Sequence, residues 1–424
     1  MRQSLDEVLQ ALSLTGSKQL FTPHWEESVR TFPADGPHYL QSERITRHAH
    51  YASLPEDATP QLEATARRVR TDEDLRLFSW HCYRLLFEHL DYGQCRQWPP
   101  LEHLVPGQTG LFYFLLALEM VALTRAKHRE LGIDEAITRT SCGDLRAHLA
   151  RHKSATGRYG TEQRLLPWLR NHTAGSLFRF GRFQYMRKPF RGLLRVYRRK
   201  QHRETIALAQ GGLVCSAEGW LLNDLTENSE GVWTTHAEET DTAVTGNVVS
   251  PHGIILPETV SLARDLWEPV LGPEDHVLEI HIPSGGGMTP EVSLESMRKA
   301  VAFFQRQFPT QPFRGLSCLS WVFNPRFCRI LPREANIRRV QEEVYLFPVP
   351  SGRKSGLYFI FGEDDIDVDN APRNTSIRRT LIAELENGRP LLTGGMFILT
   401  EDLDAFGTCQ YRNAFGEAMH RAGE

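Results

Sequence analysis

The loop with the clearest chemical potential runs from residue 284 to 289 and consists of Ser284, Gly285, Gly286, Gly287, Met288 and Thr289. Three consecutive glycines let the backbone approach a ligand closely and adopt φ above zero. Their N–H groups, with the free N–H groups that begin a following helix, suit a phosphate. The loop is neither a Walker A motif nor a GxGxxG fingerprint. A tight strand-to-helix turn that binds nothing is therefore the alternative interpretation.

The segments that must position this loop have the patterns of a strand and a helix. His276–Pro283 is predicted as a strand, and Thr289–Phe308 as a long helix with Thr289 as N-cap and Pro290 in its first turn. Downstream, the alternating texture predicts strands at Gly315–Phe323, Leu357–Phe361 and Gly395–Thr400, and helices at Arg333–Glu343 and Ser376–Asn387.

The first ~170 residues are predicted to be mostly helical, because apolar residues recur with the helical period. The expected helices are Ser4–Leu14, Asp72–Leu90 with a Thr71/Asp74 capping box, Leu111–Leu131 and Ser141–His152. From about residue 175 the chain becomes β-prone. The expected strands are Leu177–Gln184, Leu193–Arg199, Thr205–Ala209, Leu213–Ala217 and Val232–His236, followed by a helix at Pro257–Val270.

The charge of the 424-residue chain is nearly balanced, with 49 Lys and Arg against 52 Asp and Glu. Residues 163–203 nevertheless contain 12 cations and no acid, and residues 204–263 contain nine acids and no cation. Aromatic residues alternate with the arginines of the basic block, a pattern that nucleic-acid-binding surfaces share. The simpler hypothesis is that one aromatic set is core and that the arginines pair with the acidic block across a hairpin. We therefore do not expect nucleic acid as a partner.

The composition favours a soluble cytoplasmic protein. Seven scattered cysteines without a CxxC pair indicate reduced thiols. The apolar stretch Leu111–Thr124 is interrupted by Glu119 and is too short for a bilayer span, so no membrane is expected. His48 with His50, and His81 with Glu88 and His89, lack the spacing of known metal motifs, so no metal is expected.

Five stretches resemble a family of bacterial acyltransferase-like proteins that join an N-acyltransferase N-terminal domain to a GNAT-like C-terminal domain. They are Gly181–Tyr185 (Gly-Arg-Phe-Gln-Tyr) preceded by Trp168–His172, Leu278–Glu291, Arg314–Phe323, Leu331–Arg338 and Arg373–Gly388. The resemblance covers about 165 to 405. Leu319 stands where the family has His, and Ala335 stands where it has Ser.

The resemblance implies an α/β (α+β) fold in which a helical N-terminal region precedes a GNAT-like, mixed but mostly antiparallel sheet flanked by helices. We expect a helical region at 1–170, a β-rich segment at 171–245 that completes the N-acyltransferase-like domain, and a GNAT-like acyl-CoA-binding domain at 246–424. It also implies acyl transfer from a CoA thioester, acetyl-CoA or a longer acyl-CoA, to an amine of a small molecule or peptide. The 284–289 loop would bind the CoA pyrophosphate.

The same resemblance suggests roles for individual side chains. His281, on the strand before the loop, would take the amine proton, and a half-buried strand histidine is its alternative. Ser320 would donate to the thioester carbonyl. Tyr345 or Tyr358 would protonate the leaving thiolate. Because of the departures at Leu319 and Ala335, a GNAT-like fold that acts only as a binding or regulatory module remains the competing hypothesis.

Overall fold

The computed structural model describes residues 4–90, 93–101, 107–224, 230–283 and 285–422. It divides into two compact units. Unit 1 comprises Met1–Arg179 with Pro283–Gly285, and unit 2 comprises Phe180–Ile282 with Gly286–Glu424. The predicted boundary near residue 170 lies close to this division. The predicted boundary at 245/246 lies within a strand, Ala243–Ser250.

Unit 1 is helical, as predicted. Its helices are α1 (Leu5–Ala11), α2 (Lys18–Phe21), α3 (Trp25–Arg30), α4 (Ser42–Tyr51), α5 (Ala58–Thr71), α6 (Glu73–Phe87), α7 (Thr109–Leu118), α8 (Met120–Glu130), α9 (Glu135–Cys142), α10 (Asp144–Thr156) and α11 (Leu169–Thr173). The N-cap of α6 is Asp72, whose side chain accepts a hydrogen bond from the Leu75 N–H at 3.0 Å. The predicted capping box, with Thr71 as its N-cap and Asp74 as its partner, is therefore wrong, because it places the N-cap one residue too early.

The predicted helix Leu111–Leu131 is two helices, α7 and α8, that meet at Glu119. The Glu119 carboxylate is 2% exposed and accepts two hydrogen bonds from Arg44, each 2.7 Å long. Together the two helices, Thr109–Glu130, are long and apolar enough to cross a membrane. The prediction that this region is too short for a bilayer span considered only Leu111–Thr124, and the longer helical region corrects it. However, 72% of the most apolar window is buried inside the protein, as is usual for a core helix.

Unit 2 is built on two sheets and their helices. Strand β1 (Phe178–Phe180) spans the boundary between the units, and the other strands are β2 (Phe183–Pro189), β3 (Leu194–Arg199), β4 (Thr205–Ala209), β5 (Val214–Cys215), β6 (Trp233–Thr234), β7 (Ala237–Glu239), β8 (Ala243–Ser250), β9 (Ile254–Ala263), β10 (Trp267–Leu271), β11 (His276–His281), β12 (Gly315–Ser320), β13 (Tyr345–Pro348) and β14 (Gly394–Leu399). The helices are α12 (Pro290–Gln307), α13 (Phe327–Ile330), α14 (Asn336–Glu343), α15 (Leu357–Phe361), α16 (Ser376–Glu386) and α17 (Gln410–Arg421).

The first sheet has six strands in the order β1-β2-β11-β12-β14-β13. Its β11 and β12 are parallel, whereas β2–β11, β12–β14 and β13–β14 are antiparallel. The second sheet has the order β10-β3-β4-β8-β7, with β9 paired to β8, and β5 pairs with β6. The fold is therefore the expected one, a helical region followed by a mixed, mostly antiparallel sheet with helices.

Two predicted elements are wrong in type. Pro257–Val270 is not a helix but parts of β9 and β10. Pro257 lies on β9, which pairs with β8 alone, and proline is tolerated on such an edge strand because it has no N–H to donate. Leu357–Phe361 is helix α15 rather than a strand, and it is flanked by Gly356 and Gly362 in left-handed conformations.

Candidate functional site

The parallel strands β11 and β12 pair over only a short part of their length. Their registered positions are Leu278 opposite Leu316 and Glu279 opposite Ser317. On its other side, β11 continues to pair with β2 as far as His281 opposite Gln184. Among the described residues, the carboxyl ends of β11 and β12 therefore diverge.

The glycine loop follows β11 and has the backbone that its sequence predicts. Gly285 and Gly286 adopt φ of 82° and 71°, in the left-handed region that favours glycine. A Cβ on Gly287 would have no atom within 4 Å. Ser284 lies outside the described residues. The loop therefore leaves open space beside its backbone, as a bound phosphate requires.

Helix α12 begins at the end of this loop. Thr289 is its N-cap, and the Thr289 hydroxyl accepts a hydrogen bond from the Val292 N–H at 3.3 Å. Hydrogen bonds from the backbone N–H of Glu291 and from the Thr289 side chain hold the pKa of the Glu291 carboxyl below its usual range. Anions are thus stabilised at this helix start. Glu291 itself is paired with Arg339 at 3.3 Å, and Met288 is buried.

Arg182 is a cation beside the loop that sequence reasoning did not assign to the site. The Arg182 Cδ and Nε atoms lie 3.7 Å from the position of a Cβ on Gly286. Arg182 belongs to the Gly-Arg-Phe-Gln-Tyr segment on the turn between β1 and β2. The signal was present in that motif, but only the tertiary structure brings the motif to the loop.

His281 and Ser320 lie at the carboxyl ends of two neighbouring strands of the first sheet. His281 ends β11 and Ser320 ends β12, where the two strands diverge, and both side chains are partly exposed. The Ser320 hydroxyl accepts a hydrogen bond from the Val322 N–H at 3.3 Å, which caps the short 3-10 turn that follows. Its proton is therefore free to be donated elsewhere.

Tyr345 lies elsewhere in unit 2. Its register partner on β14 is Phe397, which in turn pairs with Ser317 in the middle of β12. The Tyr345 hydroxyl is fully buried and donates to the Val249 carbonyl at 2.5 Å. Burial raises the pKa of this hydroxyl. The structure thus does not bring Tyr345 together with His281 and Ser320, and its contacts are those of a core residue.

The neighbouring motif residues have packing roles. Cys318 is 2% exposed, and burial raises the pKa of its thiol, so it is a packed thiol and not a nucleophile. Trp321 packs edge-on against Phe327, with ring centroids 6.2 Å apart. Ala335 is the N-cap of α14, and Asn336 is its exposed first residue.

The basic block does not form a nucleic-acid surface of alternating aromatics. Six of its seven aromatic residues, all but Trp168, are at most 8% exposed, and they are Phe178, Phe180, Phe183, Tyr185, Phe190 and Tyr197. The β3–β4 hairpin forms as expected, but Arg195 and Arg198 do not pair with the acidic block across it, since they face Leu208 and Thr205 there. Arg195 pairs with Glu274, and Arg198 with Glu401 and Asp402, outside the acidic block.

The histidines that the sequence singled out in unit 1 have structural partners. His48 lies 3.3 Å from Glu119. The His81 ring contacts the Ser28 hydroxyl at 2.8 Å and the Phe21 carbonyl at 2.9 Å, and burial lowers its pKa to about 3. The structure assembles a different group, His24, Glu27 and His89, whose ligand atoms lie within 4.8 Å of one another. The imidazole rings of His24 and His89 are stacked, with their centroids 3.6 Å apart. Because one metal ion cannot lie in the planes of two stacked rings, the two histidines cannot both ligate a single ion in this arrangement.

A second buried carboxylate, Asp144, contacts the Trp168–His172 segment. Asp144, 4% exposed, accepts hydrogen bonds from Trp168 Nε1 at 3.2 Å and from His172 Nε2 at 3.1 Å. His148 lies 3.4 Å from the same carboxylate. The hydrogen bonds from His148 and His172 outweigh burial and hold the Asp144 pKa well below its usual range. These motif residues therefore anchor the core of unit 1.

The site thus combines three features: the parallel strands β11 and β12, whose carboxyl ends diverge, the glycine loop after β11, and the capped helix α12. Residues 177–397, just over half of the chain, match the GNAT-like C-terminal domain, and residues 43–175 match the N-acyltransferase N-terminal domain. The chain therefore belongs to the family of proteins with a GNAT-like C-terminal domain, in which this domain follows an N-acyltransferase N-terminal domain. No protein of curated function gives a significant sequence match.

Solved structures of acyltransferases share the fold. One is an acyltransferase in complex with decanoyl-CoA and teicoplanin, with a TM-score of 0.62 and 20% identity over 94% of this chain and 99% of that chain. Another is an acyltransferase in complex with CoA and 10C-teicoplanin, with a TM-score of 0.62 and 19% identity over 94% of this chain and 99% of that chain. A third is an acyltransferase mutant in complex with octanoyl-CoA, with a TM-score of 0.62 and 19% identity over 93% of this chain and 98% of that chain.

Proposed function

We propose that this protein is an acyl-CoA-dependent N-acyltransferase. The observation on which the proposal rests is the divergence of β11 and β12 immediately before the glycine loop. The pantetheine arm of an acyl-CoA would lie in the opening, parallel to β11. Its pyrophosphate would accept hydrogen bonds from the backbone N–H groups of Gly286, Gly287 and Met288 and from the first turn of α12, with Arg182 as the nearby cation.

The reaction joins the acyl group to an amine. The amine nitrogen attacks the thioester carbonyl, an amide C–N bond forms and the C–S bond breaks. His281, at the end of β11, is the proposed acceptor of the ammonium proton, and Ser320, at the end of β12, is the proposed donor to the carbonyl oxygen. The departing CoA thiolate takes a proton from water or from a nearby acid. Tyr345 has no part in this scheme because its hydroxyl is buried between strands.

The acceptor is proposed to be a small molecule with a free amine. Two of the solved structures with this fold are complexes with teicoplanin or 10C-teicoplanin, so teicoplanin is a suitable first probe. Its acylation would appear in mass spectrometry as a mass increase equal to the transferred acyl group. Acetyl-CoA, octanoyl-CoA and decanoyl-CoA as donors would establish the preferred chain length.

Calorimetric titration of the full chain with CoA and these three acyl-CoAs tests the proposal directly. We expect binding by the wild type and at least roughly tenfold weaker binding by Gly286→Val, whose side chain would be strained at φ 71° and would fill the loop. Gly388→Val, which is similarly strained at φ 67° but lies after α16 and outside the loop, is the matched control. No binding of any of the four at about 1 mM would refute the proposal. Binding without any product from a panel of amines, teicoplanin included, would favour the regulatory module instead.

A further inference from the structure

A cavity of about 330 Å³ lies in unit 2, lined by residues that the proposed acyl-CoA site does not use. Its wall comes from the β8–β9 turn, from the segment that follows β12, from α14 and from α17. The volume is at the lower end of the range for small-molecule sites. The charged residues that line it are Arg326, Arg329, Arg338, Arg412 and Glu342.

The cations of this cavity exceed their acidic partners. Arg338 pairs with Glu342 at 2.9 Å, and Arg412 lies 3.9 Å from the same carboxylate. Arg326 pairs with Glu384. Arg329 is exposed, and no acidic partner for it is present among the residues described around the cavity. One carboxylate thus serves two guanidinium groups while Arg329 adds a further positive charge.

Two buried nitrogen atoms in the wall also need an acceptor. The Nε1 of Trp220 and the Nε of Arg412 are buried without a hydrogen-bond partner in the described part of the chain. Buried donors of this kind cost free energy unless a ligand or water satisfies them. The guanidinium of Arg326 lies 5.7 Å from the centre of the Trp220 ring, so an indole and a guanidinium are neighbours among the lining residues.

The local field is positive enough to affect a neighbouring titratable group. Partial burial and the charges of Arg412 and Arg329 lower the pKa of His252, while Glu342 acts in the opposite direction. A guanidinium presents paired N–H donors that match carboxylate and phosphate oxygens. An oxyanion is therefore the ligand chemistry that this wall can satisfy.

We propose that the cavity lined by Arg326, Arg329, Arg338, Arg412 and Trp220 is a binding site for a small oxyanion ligand, whose carboxylate or phosphate group contacts the arginines. The apolar or planar part of that ligand contacts Trp220. This site is separate from the glycine loop, since the cavity is lined by none of the residues 285–289. The inference does not depend on acyl transfer.

Isothermal titration with inorganic phosphate, pyrophosphate and citrate tests the site in the full chain. We expect at least one of them to bind, and Arg329→Gln to weaken it roughly tenfold, the effect of one charged hydrogen bond. Arg329 is the best variant because it is exposed, so its loss leaves no buried charge. The control is Arg298→Gln on α12, which removes another exposed cation, one that pairs with Asp404.

Three outcomes would overturn the inference. The first is that none of the anions binds to the folded wild type. The second is equal affinity in Arg329→Gln, Arg338→Gln and the wild type, which would place the bound anion elsewhere. The third is displacement of the anion by CoA together with weaker CoA binding by Arg329→Gln, which would make the cavity a part of the acyl-CoA site. Unchanged CoA binding by Arg329→Gln separates this test from that of the proposed function.

Discussion

Arg198 shows how the basic block contributes to stability at the scale of a single residue. Its side chain is 9% exposed and pairs with Asp402, which is 2% exposed, and with the more exposed Glu401. Asp402 also accepts hydrogen bonds from the Tyr411 hydroxyl at 2.7 Å and from Gln410 at 3.1 Å. The buried carboxylate is thus neutralised by one arginine that lies 204 positions earlier in the chain.

We predict that Arg198→Gln lowers the free energy of unfolding by about 3 kcal/mol or more, because it leaves the Asp402 carboxylate buried without its cation. Urea denaturation followed by circular dichroism would measure the change. Arg195→Gln is the control, since Arg195 and Glu274 are 34% and 58% exposed and such pairs contribute less than about 1 kcal/mol. Equal losses in the two variants would contradict this account, as would weaker oligonucleotide binding by Arg198→Gln at unchanged stability.

At the scale of an element, the start of α12 has one structural role, the helix cap, and one proposed role in binding an anion. Thr289 caps the helix and also stands beside the loop that is proposed to bind a pyrophosphate. The capping requirement is met by Ser, Asp or Asn as well as by Thr. The proposed anion site, in contrast, is sensitive to the charge of the residue at this position. A substitution can therefore separate the structural role from the binding role.

Thr289→Asp should keep the cap, so the free energy of unfolding should change by less than about 1 kcal/mol. Its carboxylate would repel the pyrophosphate and weaken acyl-CoA binding at least roughly tenfold. Thr289→Ser, which keeps the cap without adding charge, should bind as the wild type does. Calorimetric titration and thermal unfolding of the three proteins provide the two readouts. Undiminished acyl-CoA binding by Thr289→Asp would place the pyrophosphate elsewhere.

At the scale of the whole molecule, the two sheets of unit 2 are joined through the hydroxyl of Tyr345. Tyr345 lies on β13 of the first sheet, and its hydroxyl contacts the Val249 carbonyl of β8 and the Ala207 N–H of β4, both in the second sheet. Its ring stacks on Phe397 with centroids 4.7 Å apart. One side chain therefore connects strands that lie about 100 and 140 residues earlier.

Tyr345→Phe tests whether this residue is structural or catalytic. We expect a loss of about 1–3 kcal/mol in the free energy of unfolding, because two buried backbone groups lose a partner while the ring remains. The rate of acyl transfer per folded molecule should be unchanged. Tyr358→Phe, on α15, provides the comparison for the second tyrosine considered. A large fall in kcat for Tyr345→Phe at unchanged stability would instead support the role that the family resemblance suggested.

The predictable part of the fold lies where local signals agree. Around the glycine loop, strand β11, the Thr289 cap and helix α12 are where the sequence predicts them, because the cap residue, proline and apolar periodicity all indicate the same boundaries. Prediction failed where local and tertiary preferences compete. Pro257-Glu258 has the pattern of a helix start, yet β9 forms because β8 offers it a paired edge.

The sequence by itself determined the class of fold, the loop, its helix and the family, since these depend on local patterns and on motifs in chain order. Only the tertiary structure decided which side chains meet. It placed Arg182 beside Gly286, moved Tyr345 into the core and paired Arg198 with Asp402. It also assembled the arginine cavity from segments that extend from Trp220 to Arg412. Such contacts join residues far apart in the chain, and no local propensity specifies them, because they follow from how the strands are ordered in the sheets.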